Sequence, residues 1–392
     1  MRILFVASWY PRPGAKHSGT FFEEQALMLA RAGHEVEILA LETSPLGRKW
    51  RSENPRVSVE HGLRVVRLSL PSMPRVLRAL EERIHRRLIG RAAALFEESG
   101  KAQILHAHTV FPGGVAGGIL ARRWGVPLVI TEHRPSTLES RAFRSRSGVI
   151  GQALEQASLL TTVSQGFAQA LFAHYPGTRW LPIELPVPDA FFNAERPVKK
   201  EEGPLRFAHV SHIDDNKRVI ETCRAFLDAF KDSGTALLKI AGGSPEAIER
   251  VRATLPNPCT SIEFLGRLER ADVVSLLADS DVFVLVSALE AGGTVFSEAQ
   301  AAGARLIASA TWAGCFALEE GNGELVGVDD APALVEAMRR ICDPSQYATA
   351  EQIRERARER YSEQSFVSRW SELYGALVES RGLEDSKEES SS

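Results

Sequence analysis

Glu290 and Glu298 stand eight residues apart around a pair of glycines, in the run Val286-Ser287-Ala288-Leu289-Glu290-Ala291-Gly292-Gly293-Thr294-Val295-Phe296-Ser297-Glu298-Ala299. The apolar residues up to Val286 read as a buried strand, Gly292-Gly293 permits a tight turn, and a helix is expected from Thr294. The free N–H groups and positive end of that helix make a site for a phosphate group. Carboxylates beside such a site would repel phosphate, so they serve better as acceptors for hydroxyl groups. A nucleotide-sugar has that chemistry, with sugar and ribose hydroxyls on either side of a diphosphate. The same residues also describe a glycine-closed loop and a helix carrying two solvated glutamates, and spacing alone leaves both readings open.

Other residue types invite chemistry. His133 ends an expected strand, where it either orients a substrate or is satisfied by backbone. His106 and His108 point to one side of a strand, as positions i and i+2 do. No third ligand is spaced to join them, so no metal is expected. Asp214-Asp215 reads as a solvated turn rather than a cation-binding pair.

Groups this far apart in sequence need a scaffold of alternating strands and helices. The apolar run Ile3–Ala7 is followed by a turn-rich loop, a helix over Phe21–Ala32 closed by Gly33, and a strand over Val36–Leu41. Strands at Val65–Leu70, Ile104–His108, Leu128–Thr131 and Leu159–Val163 continue the pattern, with helices at Arg75–Phe96 and Gly114–Trp124. Periodicity lapses near Leu181–Pro204, where Pro182, Pro186, Pro188, Pro197 and Pro204 and the charged run Lys199–Glu202 mark a linker. Strands then return at Leu205–Val210, Ala236–Ala241, Ile262–Leu265, Val282–Val286 and Arg305–Ala308, with helices between them. The last helices fall at Glu351–Arg360 and Glu363–Leu377. Short apolar strands alternating with amphipathic helices imply two parallel sheets covered on both faces. Ligands of such sheets sit beyond the carboxyl ends of the strands, so a cleft between the two domains is the expected site.

The chain has 392 residues, long enough for two cores, and no apolar run approaches a membrane span. Its start reads as a first buried strand rather than a secretory leader. Cys223, Cys259, Cys315 and Cys342 are scattered, which argues against a disulfide framework or zinc site and for a reducing, cytoplasmic compartment. The net charge of −3 hides an asymmetry. Residues 1–185 hold 24 Lys and Arg against 15 Glu and no Asp, a net +9, whereas the remainder holds 23 against 35, a net −12. A basic first half suits an anionic partner, or the two halves simply attract each other. Nucleic acid is a poor candidate, because no basic element interleaved with aromatic residues is present.

The Glu-x7-Glu pattern, with Glu298-Ala299-Gln300-Ala301-Ala302-Gly303-Ala304-Arg305-Leu306-Ile307-Ala308 after it, resembles the donor-site signature of the family 4 retaining glycosyltransferases. Other segments follow in that family's order: Trp9-Tyr10-Pro11 to Ser18-Gly19-Thr20-Phe21, Gly33-His34-Glu35-Val36, His106-Ala107-His108 and Thr131-Glu132-His133. His209-Val210-Ser211-His212-Ile213 through Lys217, Ala241-Gly242-Gly243, Phe264-Leu265-Gly266-Arg267-Leu268 and Ser280-Asp281-Val282-Phe283-Val284 come next. The resemblance covers almost the whole chain.

It implies an α/β chain of two Rossmann-like, doubly wound domains facing across a cleft, the GT-B fold. Residues 1–185 would form the acceptor-side domain, with 363–380 crossing back to pack on it. Residues 186–362 would bind the nucleotide-sugar, and 382–392 would be a disordered tail. Position by position it implies a catalytic set of His133, Glu290 and Lys217, with Glu290 on donor-sugar hydroxyls and His133 beside the reacting carbon. Glu298 would hold the ribose. Backbone amides near Gly293, Thr294 and Val295 would hold the diphosphate that Lys217 neutralises, and Gly19 would approach it from the other domain. Ser211, His212 and Arg218 would complete the donor site, with Arg267 and Leu268 lining the base pocket.

The implied reaction is retaining transfer of a hexose-type sugar, with no metal and no cofactor beyond the nucleotide-diphosphate sugar. A front-face route suits the sequence better than a covalent one, since Glu132 should point away from its strand neighbour His133. The acceptor would be a glycan or a lipid-linked sugar in polysaccharide or glycolipid assembly.

Several positions depart from the family. The arginine usual five residues before the lysine is His212, and an imidazole neutralises less than a guanidinium. Arg218 is the nearest substitute. Gly292 replaces an aromatic residue, Arg305 a proline, and Ala313-Gly314-Cys315-Phe316 a longer Gly-Gly-x-Glu loop. These departures keep open a non-catalytic nucleotide-sugar-binding paralogue or partner subunit. A nucleotide-sugar 2-epimerase on the same fold is a separate alternative that would need acids scarce in the first half. On the acceptor side, Arg75, Arg78, Arg83, Arg86, Arg87 and Arg91 share one expected helix with an apolar stripe of Leu77, Leu80, Ile84 and Leu88, and Arg141, Arg144 and Arg146 follow. Such a helix either lies on an anionic membrane at its cytoplasmic face or packs with a solvated basic side.

Overall fold

The structure, a computed structural model, describes residues 1–12, 18–45, 55–197, 203–231, 233–256 and 259–390. Pro13-Gly14 of the first loop, the charged run Lys199–Glu202 and Ser391–Ser392 lie outside the described residues. The chain divides into two compact units, Met1–Ile183 with Val367–Ser392, and Glu184–Phe366.

The first unit is built on an eight-stranded sheet. Its strands are β1 (Arg2–Ala7), β2 (Glu35–Pro45), β3 (Arg56–Glu60), β4 (Leu63–Ser72), β5 (Ile104–His108), β6 (Leu128–Glu132), β7 (Leu159–Thr162) and β8 (Trp180–Pro182). Their order is β3-β4-β2-β1-β5-β6-β7-β8, parallel except for the β3–β4 pair. Residues Ile3 to Ala7 are fully buried, as expected of a strand with helices on both faces. The helices are α1 (Thr20–Arg31), α2 (Arg78–Ser99), α3 (Val115–Trp124), α4 (Ser136–Glu139), α5 (Arg141–Arg144), α6 (Ser147–Gln156) and α7 (Gln165–His174).

The second unit has a six-stranded parallel sheet. Its strands are β9 (Leu205–Val210), β10 (Ala236–Ala241), β11 (Ile262–Gly266), β12 (Val282–Leu285), β13 (Arg305–Ser309) and β14 (Gly323–Val326), in the order β11-β10-β9-β12-β13-β14. Alternation along the strands splits the core. Phe207, Leu238, Ile240, Val284 and Ile307 face one helical layer, and Ala208, Phe283, Leu285, Leu306 and Ala308 face the other. Its helices are α8 (Asp189–Asn193), α9 (Val219–Phe230), α10 (Pro245–Arg252), α11 (Arg270–Ala278), α12 (Thr294–Ala301), α13 (Trp312–Ala317), α14 (Ala331–Arg340) and α15 (Ala350–Tyr361).

The last helix, α16 (Glu363–Ser390), belongs to the first unit from Val367 onward. There Tyr374 is fully buried and its hydroxyl meets His106 Nδ1 at 2.6 Å, while Trp370 lies 4.5 Å from the same imidazole between ring centroids. Ser371 reaches His34 at 2.9 Å. The helix continues to Ser390, through most of the segment 382–392 read from sequence as disordered, since extending a formed helix needs no new nucleus.

Two readings of the basic helix need correction. It begins with a 3-10 turn, Arg75–Leu77, before α2 proper. Its expected stripe is only half right: Leu88 is buried, but Leu77 and Leu80 are exposed. The inward position of the first turn belongs instead to Glu81, which is 2% exposed. Its carboxylate accepts bonds from Arg146 at 2.8 and 3.0 Å, Arg78 at 2.7 Å and the Met73 N–H at 2.5 Å.

Candidate active site

In the second sheet the strand order reverses between β9 and β12, and loops leaving a reversal point diverge to open a crevice. The residues of interest lie on these two loops. After β9 the chain passes through Ser211 and His212 to a 3-10 turn, Asp215–Lys217, whose first residue is preceded by a cap: Asp214 accepts the Lys217 N–H at 3.1 Å. After β12 the loop 286–293 is clamped to that turn by Asn216. The Asn216 side chain accepts the Leu289 N–H at 2.9 Å and donates to the Leu289 carbonyl at 3.1 Å, and its own carbonyl takes the Ala288 N–H at 2.8 Å. The clamp brings Lys217 Nζ to 2.5 Å from Glu290 Oε2, with both side chains about one-fifth exposed. Asn216 is a positioning residue that sequence reasoning missed, because its partners lie some seventy positions away.

Gly293 precedes α12 in a left-handed conformation, φ 54°, and a Cβ there would meet the Phe296 ring at 2.6 Å. Thr294 and Val295 open the helix with free N–H groups, and both are half-buried. Ala313-Gly314-Cys315-Phe316, read as a shortened loop, is instead part of helix α13. Thr311 caps it by accepting the Gly314 N–H at 3.2 Å, and the Ala313 N–H donates to the Glu290 carbonyl at 3.0 Å. The Glu290 loop is therefore anchored at both ends. Glu298 is buried at 6% exposure, and Arg270 of α11 donates to it at 2.8 Å while lying 4.7 Å over the Phe191 ring. Neither glutamate is a solvated surface group, and each has a cationic partner.

The remaining expected donor residues scatter. His212 and Arg267 are exposed, and Leu268 packs half-buried on the core. Arg218 adopts a left-handed backbone, φ 49°, and its guanidinium pairs with Asp329. The structure does not bring it to the Lys217–Glu290 pair as a substitute for the missing arginine. Ser211 binds the buried His209 instead, Oγ to Nε2 at 2.7 Å, and His209 Nδ1 lies 3.0 Å from the Val284 carbonyl. A carbonyl only accepts, so Nδ1 carries the proton and Nε2 accepts from the serine hydroxyl.

Burial pushes the His209 pKa down to about 4, against the opposing Val284 bond and with help from Lys217. The native state thus resists a proton that the unfolded chain takes up near the ordinary value of about 6.5. Stability is full above that value and is lost as pH falls from about 6.5 to about 4. Thermal melts across this window should show a declining Tm, and His209→Asn should flatten the decline. An identical slope in that variant would count against His209 as a contributor.

In the first unit the strand order reverses between β1 and β5, and Ser8 bridges their ends. Its hydroxyl donates to the His108 carbonyl at 2.7 Å and accepts the Gly113 N–H at 2.9 Å. Gly19 caps α1 at φ 83°, where a Cβ would meet Trp9 at 2.9 Å. His133 follows β6, half-buried, with Nε2 3.2 Å from His108 Nδ1 and its ring 5.2 Å from Phe22. Burial first, then the Arg134 charge, lowers its pKa to about 3, so it acts as a neutral imidazole. Glu132 is fully buried and faces away, accepting N–H groups of Val110 at 2.9 Å, His133 at 2.9 Å and Arg134 at 2.8 Å. Arg134 lies 4.7 Å over Trp9 and donates to the Phe111 carbonyl at 2.7 Å. Among the described residues no three His, Cys, Asp or Glu side chains gather as a ligand set.

Comparison with known proteins agrees with this layout. Residues 18–184 match the glycosyl transferase 4-like domain, and residues 191–360 match the glycosyl transferases group 1 domain. N-acetyl-alpha-D-glucosaminyl L-malate synthase of Bacillus anthracis is 23% identical over 95% of this chain and 97% of its own length. D-inositol 3-phosphate glycosyltransferase of Mycolicibacterium smegmatis is 26% identical over 85% of this chain and 80% of its own. Among solved structures, sucrose-phosphate synthase of Thermosynechococcus elongatus superposes with a TM-score of 0.71 at 21% identity, covering 97% of this chain and 99% of that one. Anabaena HepE in complex with UDP superposes at 0.72 with 19% identity, covering 96% and 100%. Two parallel-sheet units of this topology, matched in order by both domain families, make the chain a member of the family 4 glycosyltransferases with the GT-B fold.

Proposed function

We propose that this glycosyltransferase moves a hexose-type sugar, with retention and without a metal, from a nucleotide-diphosphate sugar to a glycan or lipid-linked acceptor in polysaccharide or glycolipid assembly. The observation that carries the reading is the Lys217–Glu290 pair at the β9/β12 reversal, close in sequence to the free N-terminus of α12. Lys217 and the amides around Gly293, Thr294 and Val295 bind the diphosphate, Glu290 accepts sugar hydroxyls and Glu298 the ribose. Anabaena HepE, of the same fold, is known in complex with UDP-glucose, which supports a nucleotide-sugar donor here. The acceptor hydroxyl attacks the anomeric carbon on the face the leaving group departs from, and a leaving diphosphate oxygen takes its proton. Lys217 and the helix amides stabilise the charge that builds on that oxygen. Occupation of both Glu132 oxygens by backbone N–H groups favours this route over a covalent one through that carboxylate. His133, as a neutral imidazole, hydrogen-bonds donor or acceptor.

His212 in the arginine position, with Arg218 engaged by Asp329, favours a second reading in which the chain binds the donor without turning it over. Incubating the purified protein with a panel of nucleotide-sugars, with and without EDTA, separates the two. Slow hydrolysis of one donor, unchanged by EDTA, is expected. Binding without turnover across the panel would establish the second reading, and no binding at all would sink the site.

A further inference from the structure

The start of α2 presents a surface that packing does not explain. Val76 is 89% exposed, Leu77 43% and Leu80 47%, on a turn whose inward position is locked by the buried Glu81. The turn cannot roll to bury its apolar residues without unpairing that carboxylate. Beside it lies a depression lined by Arg75, Arg78, Arg141, Arg144, Ser145 and Ser147. Arg78 is committed to Glu81 at 2.7 Å and to the Ser145 hydroxyl at 2.9 Å. Arg75, Arg141 and Arg144 are exposed, and none has an ion-pair partner among the described residues. Leu80, Arg83 and Arg87 follow along one helical face, all exposed, and extend the mixture of apolar and cationic side chains.

We propose that this face is a docking surface for an acidic lipid bilayer, with the three free guanidiniums at the phosphate level of the headgroups and Val76 and Leu80 entering the acyl boundary. A small soluble anion would use the arginines but leave the exposed apolar turn without a role. A bilayer with anionic headgroups uses both. The surface is tied to the chain that leaves His133. Phe143 of α5 lies 5.1 Å under Arg134 and 5.8 Å from Phe111. The inference deepens the lipid-linked acceptor of the proposed function and rests on it, since a membrane-borne acceptor would then be presented to the unit that carries His133.

Co-sedimentation of the full chain with phosphatidylcholine vesicles, with and without phosphatidylglycerol, tests it. Binding should require the acidic lipid and weaken with salt. Each arginine near an acidic surface contributes roughly a fivefold factor, so changing Arg75, Arg141 and Arg144 together to serine should weaken binding about a hundredfold. Val76→Asn with Leu80→Asn should weaken it at fixed salt. All five residues are exposed and outside the donor site, so melting temperature and transfer to a water-soluble acceptor should not change. Equal pelleting on neutral and acidic vesicles, or full binding by the serine variant, would overturn the proposal. So would arginine-dependent binding of inorganic phosphate by a protein that ignores acidic vesicles. Loss of vesicle binding with donor turnover intact would remove the docking surface alone, whereas vesicle binding without any turnover would remove the transferase reading alone.

Discussion

Glu290→Ala is expected to lower sugar transfer by about two to three orders of magnitude while the protein still folds, the range seen when one group aimed at developing charge is removed. Two losses combine. In the proposed site the donor sugar would lose a charged acceptor for its hydroxyls, and Lys217 loses the carboxylate that holds its ammonium 2.5 Å away. The fold should change little, because a partly solvated ion pair contributes about 1 kcal/mol or less. A double-mutant cycle with Lys217→Met separates the two losses. If Glu290 acts only by holding the lysine, the alanine costs nothing further in the methionine background. If it also binds the sugar, a substantial cost remains. Turnover near that of the wild type in Glu290→Ala would remove the assignment altogether.

The largest effect on stability should come from Gly242→Ala. Gly242 sits at φ 111°, and a Cβ there would lie 1.8 Å from the Ser211 carbonyl oxygen, a backbone atom that no rotamer change can move. Three loops meet at this point. The Gly242 N–H donates to the Gly266 carbonyl at 2.6 Å, and the Ser211 N–H to the Ala241 carbonyl at 3.1 Å. Relief of the clash displaces the segment that leads to Lys217, so destabilisation of about 2–4 kcal/mol should come with loss of donor affinity. Gly266→Ala is the control. Its φ of 68° lies in the left-handed region that L residues can enter at modest strain, and nothing lies within 4 Å of the added carbon, so about 1 kcal/mol is expected. Equal melting temperatures for the two variants would show that the close approach to Ser211 is not tight.

The strands were legible because they are buried on both faces and read as continuous apolar runs, Ile3–Ala7 and Val282–Leu285 among them. What escaped has little apolar signal. Strand β3, Arg-Val-Ser-Val-Glu, lies at a sheet edge with Val57 and Val59 exposed. The four-residue helices α4 and α5 arise in a stretch rich in serine and arginine with no hydrophobic period to read, whereas α6 is the exception and does carry one, Ile150, Ala153 and Leu154, that went unread. At the site, Lys217 is implied only by the family resemblance, whereas Glu290 and Glu298 could be picked out because they flank a glycine turn between a strand and a helix. Asn216, Arg270 and Asp329 could not. Their roles are set by which loops the sheet order makes neighbours, and Arg270 reaches Glu298 from a different helix. Glu81 misled the reading of α2 for a related reason. A charge is assigned to the solvent side by default, and only its three partners, the buried Met73 and Arg146 and the partly buried Arg78, reverse that.

The burial of Tyr374 against His106 has a consequence for biosynthesis. The strand that carries His106 leaves the ribosome early, whereas its partner on α16 emerges only after the whole of Glu184–Phe366 has been made. At about 5–20 residues per second that interval is roughly 10–40 s. Through it the nascent first unit has its central sheet but lacks Trp370 and Tyr374, and the imidazole they cover remains open to water. The order of translation therefore makes the unit begun first the one that is completed last.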